Sequence, residues 1–143
     1  MNPKTSVKTN TAALAAVLMI PLLLATQAVR AELVGLDHLQ LSEKLKANSE
    51  VVIIDVRSQQ EFASGHVPGA VNIPHSSILG DVALLDRYKD QDMVFYCRSG
   101  KRAKSVTDSL EASDYTSGRP LYQLEGDILG WISADQPLQK VAM

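Results

Sequence analysis

One cysteine, Cys97, closes the apolar run "MVFYC" (Met93–Cys97), and Arg98, Lys101, Arg102 and Lys104 follow it within seven residues. A single cysteine makes no internal disulfide, so this thiol is either buried filler or a working group. Its neighbours favour work. Gly100 permits a tight turn, and a helix is expected to begin at about Lys101. The first turn of a helix offers unpaired N–H groups and the positive end of its dipole. A sulfur held in that cradle is favoured as the anion, which is the nucleophilic form. Helices prefer acids over bases in the first turn by roughly 0.3–1 kcal/mol. Here Lys101, Arg102 and Lys104 stand there instead, a cost that a bound or covalent anion would offset. Lys104 reads equally well as a solvated side chain.

The elements that must position this loop follow from pattern. "VVIID" (Val51–Asp55), "MVFYC" and "LYQL" (Leu121–Leu124) are short apolar runs bounded by polar residues, as buried parallel strands are. "AVNI" (Ala70–Ile73) is a shorter fourth. Helical signals lie between them. "LDHLQLSEKLKA" carries an apolar face. "SQQEFASG" opens with a capping box, Ser58 and Glu61, and closes at Gly65. "DVALLDRYK" gives one or two turns. After Cys97, Ala103, Val106 and Leu110 form a stripe at helical spacing. Alternating strands and helices predict an α/β domain with a mainly parallel sheet. Sites in such sheets lie outside the carboxyl ends of the strands. Asp55 and Cys97 both end a predicted strand and are expected on one rim.

The first thirty-one residues are read apart. "MNPKTSVKTN" holds Lys4 and Lys8 and no acid, "TAALAAVLMIPLLLA" is apolar, and "TQAVRA" ends in small residues. That is the pattern of a secretory signal peptide, with cleavage after Ala31 preferred and Ala28 the alternative. The apolar run is interrupted by Pro21 and falls short of the roughly 18 residues of a spanning helix. The reading is therefore a leader over 1–31, one domain over 32–143, export to the periplasm and no stable membrane anchor after cleavage. Removing Lys4, Lys8 and Arg30 from 14 basic and 16 acidic residues leaves the exported domain at −5. A net-acidic domain is a poor general nucleic-acid binder, so no nucleic-acid partner is expected. The basic cluster after Cys97 stands against the trend of its own chain.

With these motifs in place, the sequence resembles the single-domain rhodaneses, the thiosulfate sulfurtransferases. "YCRSGKRA" looks like their active-site loop. "VIIDVRSQQEFASGHVPGAVNIP" (Val52–Pro74) is similar to their upstream signature, and "LEGDILGW" (Leu124–Trp131) to their closing motif. The resemblance covers nearly all of the expected domain. It implies a rhodanese-like fold, with a small five-stranded parallel sheet flanked by helices. It implies Cys97 as nucleophile and sulfur carrier, loaded by thiosulfate with release of sulfite and unloaded by cyanide or a thiol in a ping-pong cycle. The N–H groups of Arg98, Ser99, Gly100, Lys101, Arg102 and Ala103 would cradle the persulfide. The side chains of Lys101, Arg102 and Arg98 would attract the sulfonate. Asp55 and Arg57 would form a supporting ion-pair network. No cofactor is implied, and a protein sulfur acceptor is compatible with the same loop.

Four residues separate Cys97 from Arg102. Phosphatases and arsenate reductases that resemble rhodaneses use a loop one residue longer, which ranks phosphoester chemistry below sulfur transfer. A persulfide carrier or interaction module with little thiosulfate turnover is the reading from another class. His38, His66 and His75 lack metal-ligand spacing, so no metal site is expected. His66 is read as a turn-stabilising side chain and Trp131 as core or loop cover. The closing motif departs from the family in one place: Gly126 is followed by Asp127 where a second glycine is usual. An acid there either opposes an arriving anion, alters which acceptor approaches, or points to solvent.

Overall fold

A computed structural model describes residues 31–47 and 50–141. Residues 1–30, which hold all but the last residue of the expected leader, lie outside the described residues. Five strands, β1 (Leu33–Leu36), β2 (Val51–Asp55), β3 (Val71–Asn72), β4 (Asp92–Tyr96) and β5 (Leu121–Leu124), form one sheet in the order β1-β5-β4-β2-β3. Every pairing is parallel. The helices are α1 (His38–Ala47), α2 (Gln59–Ser64), α3 (His75–Gly80), α4 (Lys101–Ala112) and α5 (Asp127–Ser133), with a 3-10 helix over Val82–Tyr88. Among the described residues, no helix is long and apolar enough to cross a membrane.

The continuous apolar runs of β2 and β4 are explained by burial on both faces. Val52 and Ile54 of β2, and Met93 and Phe95 of β4, pack with α3, the 3-10 helix and α4 through Ile78, Leu85, Val106 and Leu110. The alternate residues Ile53, Val94 and Tyr96 face the other way, onto Leu41 of α1 and Ile128 and Trp131 of α5. The strand period of two thus deals one run of sequence into two cores. Cys97 follows β4 by one residue and continues the alternation toward the α4 side. Ala31 also packs in that cluster, so cleavage after Ala28 would keep it and cleavage after Ala31 would remove it.

Several expectations shift by small amounts. β4 runs from Asp92 to Tyr96, so Cys97 lies just past the strand and not within it. β1 and α3 had no separate signal, because Gly35 breaks the apolar pattern of "LVGL" and "HSSILG" offers only Ile78 to the core. The Ser58–Glu61 capping box is present in full: Ser58 Oγ accepts from the Glu61 N–H at 3.2 Å, and Glu61 Oε2 accepts from the Ser58 N–H at 3.0 Å.

Asp55 ends β2 fully buried and forms an ion pair with Arg57, itself 6% exposed. The Arg57 Nη2 donates to Asp55 Oδ2 at 2.6 Å and to the Gly65 carbonyl at 2.7 Å, and Nε donates to Asp55 Oδ1 at 3.0 Å. The pair thereby ties β2 to the end of α2. Burial, and then the adjacent Asp55 charge, push the Tyr96 hydroxyl far above its ordinary value. Its oxygen instead accepts the Val67 N–H at 3.1 Å. Replacing Asp55 by Ala would leave the guanidinium buried without its counter-charge. The expected loss is about 3–5 kcal/mol of folding stability, read as a lower urea midpoint at unchanged slope.

Candidate active site

The β4–α4 connection builds the site. Gly100 is the residue before α4 and adopts φ +95°, a left-handed conformation that glycine tolerates and other residues rarely do. A Cβ there would also fall 3.0 Å from Asp127 Oδ2 and 3.2 Å from Gln123 Nε2. This turn points the Gly100 N–H back at Cys97 Sγ, 3.1 Å away. No side chain caps the first turn of α4, and the opening N–H groups of a helix have no partner within it. Cys97 is 1% exposed, while Arg98, Ser99 and Lys101 stand at the surface beside it. Ala103 is buried beneath the turn.

The cations do not all face the sulfur. Arg102 Nη1 and Nη2 donate to Glu61 Oε2 and Oε1 at 2.7 and 2.8 Å, a two-point ion pair. The hydrogen bonds from Arg102, together with those from Ser58, hold the Glu61 carboxyl well below its ordinary value of 4.5, at about 2. The guanidinium is held correspondingly higher, by Glu61 first and by the Cys97 side chain second. Sequence reasoning identified Glu61 only as a helix cap. Its second partner lies 41 residues away, and no local pattern marks such a contact. Lys104 pairs with Asp108 one turn along α4, with both side chains more than half exposed, and is a surface residue.

Asp127 neither meets solvent nor stands on an open rim. It is 3% exposed, and its Oδ1 accepts the Cys97 N–H at 2.7 Å. Gln123 Nε2 donates to Oδ2 at 3.4 Å. Burial raises the carboxyl above its ordinary range despite these hydrogen bonds. Asp127 has φ +54°. The preceding Gly126 has φ +72°, and a Cβ on it would come within 2.9 Å of Gly130 Cα. The N–H groups of Ile128 and Leu129 then donate to the Cys97 and Arg98 carbonyls at 3.1 and 3.4 Å. α5 therefore clamps the cysteine loop from behind.

The remaining singled-out residues hold the frame. His66 is buried, stacks on Phe62 at 3.7 Å and places Nδ1 2.9 Å from the Phe62 carbonyl. Trp131 lies in the α5-side core and donates from Nε1 to the Pro137 carbonyl at 2.8 Å. Asp55 and Arg57 brace β2 and meet Tyr96, which precedes Cys97. Among the described residues, no group of His, Cys, Asp and Glu side chains is placed to hold a metal ion.

A buried cysteine just past the end of a central parallel strand thus meets a glycine turn and a helix start, in an α/β domain with an all-parallel sheet. The chain belongs to the rhodanese family: the Rhodanese-like domain model matches residues 38–134. A protein called "Sulfurtransferase" from Allochromatium vinosum is 33% identical over 103 residues, spanning 72% of this chain and 92% of that protein. A "Thiosulfate:glutathione sulfurtransferase" from Homo sapiens is 31% identical over 87 residues, spanning 52% of this chain and 76% of that one. Among solved structures, a rhodanese-like domain protein from Staphylococcus aureus superposes with a TM-score of 0.62 at 28% identity, covering 76% of this chain and 99% of that chain. The rhodanese-like fold with an all-parallel five-stranded sheet is as the sequence resemblance implied.

The Glu61–Arg102 pair predicts a pH dependence. A carboxyl whose folded value is depressed adds stability above its unfolded value, and that stability is lost as pH falls through the folded value. Both side chains are about one-third exposed, so solvent screening limits the pair to about 1 kcal/mol. The native protein is expected to exceed Glu61→Gln by about that amount at pH 7. The gap should close as pH falls from 4.5 through about 2, measured by urea unfolding across that range.

Proposed function

We propose that the protein is a sulfurtransferase that carries sulfane sulfur as a persulfide on Cys97. One observation carries the reading: the Gly100 N–H lies 3.1 Å from Cys97 Sγ at the uncapped start of α4. That donor is aimed at the sulfur and the turn back is short. In the proposed cycle the Cys97 thiolate attacks the outer sulfur of thiosulfate and sulfite leaves with the electron pair of the broken S–S bond. A thiol or cyanide then takes the outer sulfur. The backbone from Arg98 to Ala103 supports negative charge on the persulfide. Arg98 and Lys101, exposed beside Cys97, supply the attraction for an arriving anion. Export to the periplasm remains part of the proposal and rests on the leader pattern of residues 1–31.

The Arg102–Glu61 ion pair favours a second reading. A guanidinium already engaged by a carboxylate binds a sulfonate less strongly than a free one, so turnover with thiosulfate would be modest. The protein would then act chiefly as a carrier loaded by another persulfide. Both readings need the same cradle and the same cysteine.

Intact-mass measurement after incubation with thiosulfate is expected to show a gain of one sulfur on Cys97 that cyanide removes as thiocyanate. Cys97→Ala should fold and show neither. An absent adduct with every sulfane donor tried would refute sulfur transfer, and an adduct slow to form from thiosulfate but fast from a persulfide would select the carrier. Arg102→Ala is expected to lower kcat/KM for thiosulfate about tenfold, the worth of one charged hydrogen bond. An unchanged value would show that Glu61 fully occupies the guanidinium.

A further inference from the structure

The bases that follow Cys97 are not equally free. Arg98 and Lys101 are exposed, and Lys104 pairs with Asp108. Arg102 is the second residue of α4, two positions past the Gly100 whose N–H meets Cys97 Sγ. Both of its terminal nitrogens are taken by the two oxygens of Glu61, at 2.7 and 2.8 Å. That carboxylate is itself held in place from α2. The Ser58 N–H and hydroxyl donate to Glu61 Oε2 at 3.0 and 3.1 Å as part of the cap. The hydrogen bonds from Arg102 and Ser58 keep it ionised at neutral pH. Glutamine serves a capping box as well as glutamate does, so the cap alone does not call for the charge.

We propose that Glu61 is a specificity-determining residue: by occupying Arg102, it weakens the preference of the Cys97 site for an incoming reagent of higher negative charge. A guanidinium bonded at both ends to a carboxylate presents little net charge, and its planar fork is filled. Attraction is left to Arg98 and Lys101, which stand in water where charges are screened. For sulfur donors, where the inference rests on the sulfurtransferase reading, the consequence is a choice between classes. Thiosulfate brings two negative charges and a thiosulfonate brings one. With either, the Cys97 thiolate bonds to the outer sulfur and the donor's S–S bond breaks. Its electron pair leaves on sulfite or on a sulfinate. The chemistry is the same and the charge differs, so Glu61 narrows the gap between the two donors. Charge selection at the cysteine does not itself depend on sulfur transfer.

The first test therefore uses no sulfur donor. Cys97 is the only cysteine in the chain, so its alkylation is read directly by intact mass. Iodoacetate and iodoacetamide differ by one charge, and the thiolate fraction cancels in the ratio of their rates. Glu61→Gln keeps the α2 cap and is expected to raise the iodoacetate-to-iodoacetamide ratio about fivefold, the scale of one partly exposed ion pair. With Arg102→Gln already in place, the same change should move the ratio less than about twofold. A ratio unchanged by Glu61→Gln, or raised equally with and without Arg102, would overturn the proposal. A residue that merely braced the loop would move both alkylation rates together. The second test compares kcat/KM for thiosulfate and methanethiosulfonate, read as thiocyanate formed from cyanide. Glu61→Gln should raise that ratio about fivefold too. An unchanged ratio in a variant that forms thiocyanate would overturn donor selection. Thiocyanate from no variant, with the alkylation ratio shifted, would sink the sulfurtransferase reading and leave the charge selection standing.

Discussion

Between Cys97 and Lys101 the chain must turn from the end of a central strand into a helix, and the site depends on how the N–H groups of that turn are used. The Cys97 N–H goes to Asp127, and the Gly100 N–H goes to Cys97 Sγ. The carbonyls of Cys97 and Arg98 receive the first N–H groups of α5. The Cys97 N–H is buried, and left unpaired it would cost about 1–3 kcal/mol. What is left open is the first turn of α4, which no side chain caps. The left-handed conformation of Gly100 makes this division possible, because any side chain there would meet Asp127 and Gln123.

Charge around the loop is balanced more evenly than a run of basic residues suggests. Glu61 takes Arg102 while still capping α2, so one carboxylate fixes a helix start and spends a loop cation. Asp127 adds a second acid from below. Arg98 and Lys101 remain at the surface. The result is a site whose positive field lies at its mouth, with a hydrogen-bonding acid at its floor.

Burial on both faces of the sheet gives this small domain its rigidity. β2 and β4 lie at its centre, and their alternate residues enter opposite cores. Cys97 extends that alternation by one residue, so the core that packs Phe95 also fixes where the sulfur points. The Asp55–Arg57 pair, buried at the neighbouring strand end, braces the turn after α2 and, through Tyr96, the approach to the loop.

Local sequence determined the strand runs of β2, β4 and β5, the capping box of α2, the apolar stripe of α4 and the glycine turn beside a single basic-flanked cysteine. Each follows from periodicity or backbone preference within a few residues, and together they carried the resemblance to the rhodanese family. Tertiary structure alone decided the partners of the charges. Glu61 meets Arg102 across 41 residues and Asp127 meets Cys97 across 30, distances over which no sequence period reports proximity. The second glycine missing from "LEGDILGW" marked Asp127 as a departure, but whether that acid faced the donor, the solvent or the cysteine depended on where α5 docks. The parallel register of β4 and β5 brings that helix beneath the loop, and docking turned a surface acid on paper into a buried one bonded to the cysteine.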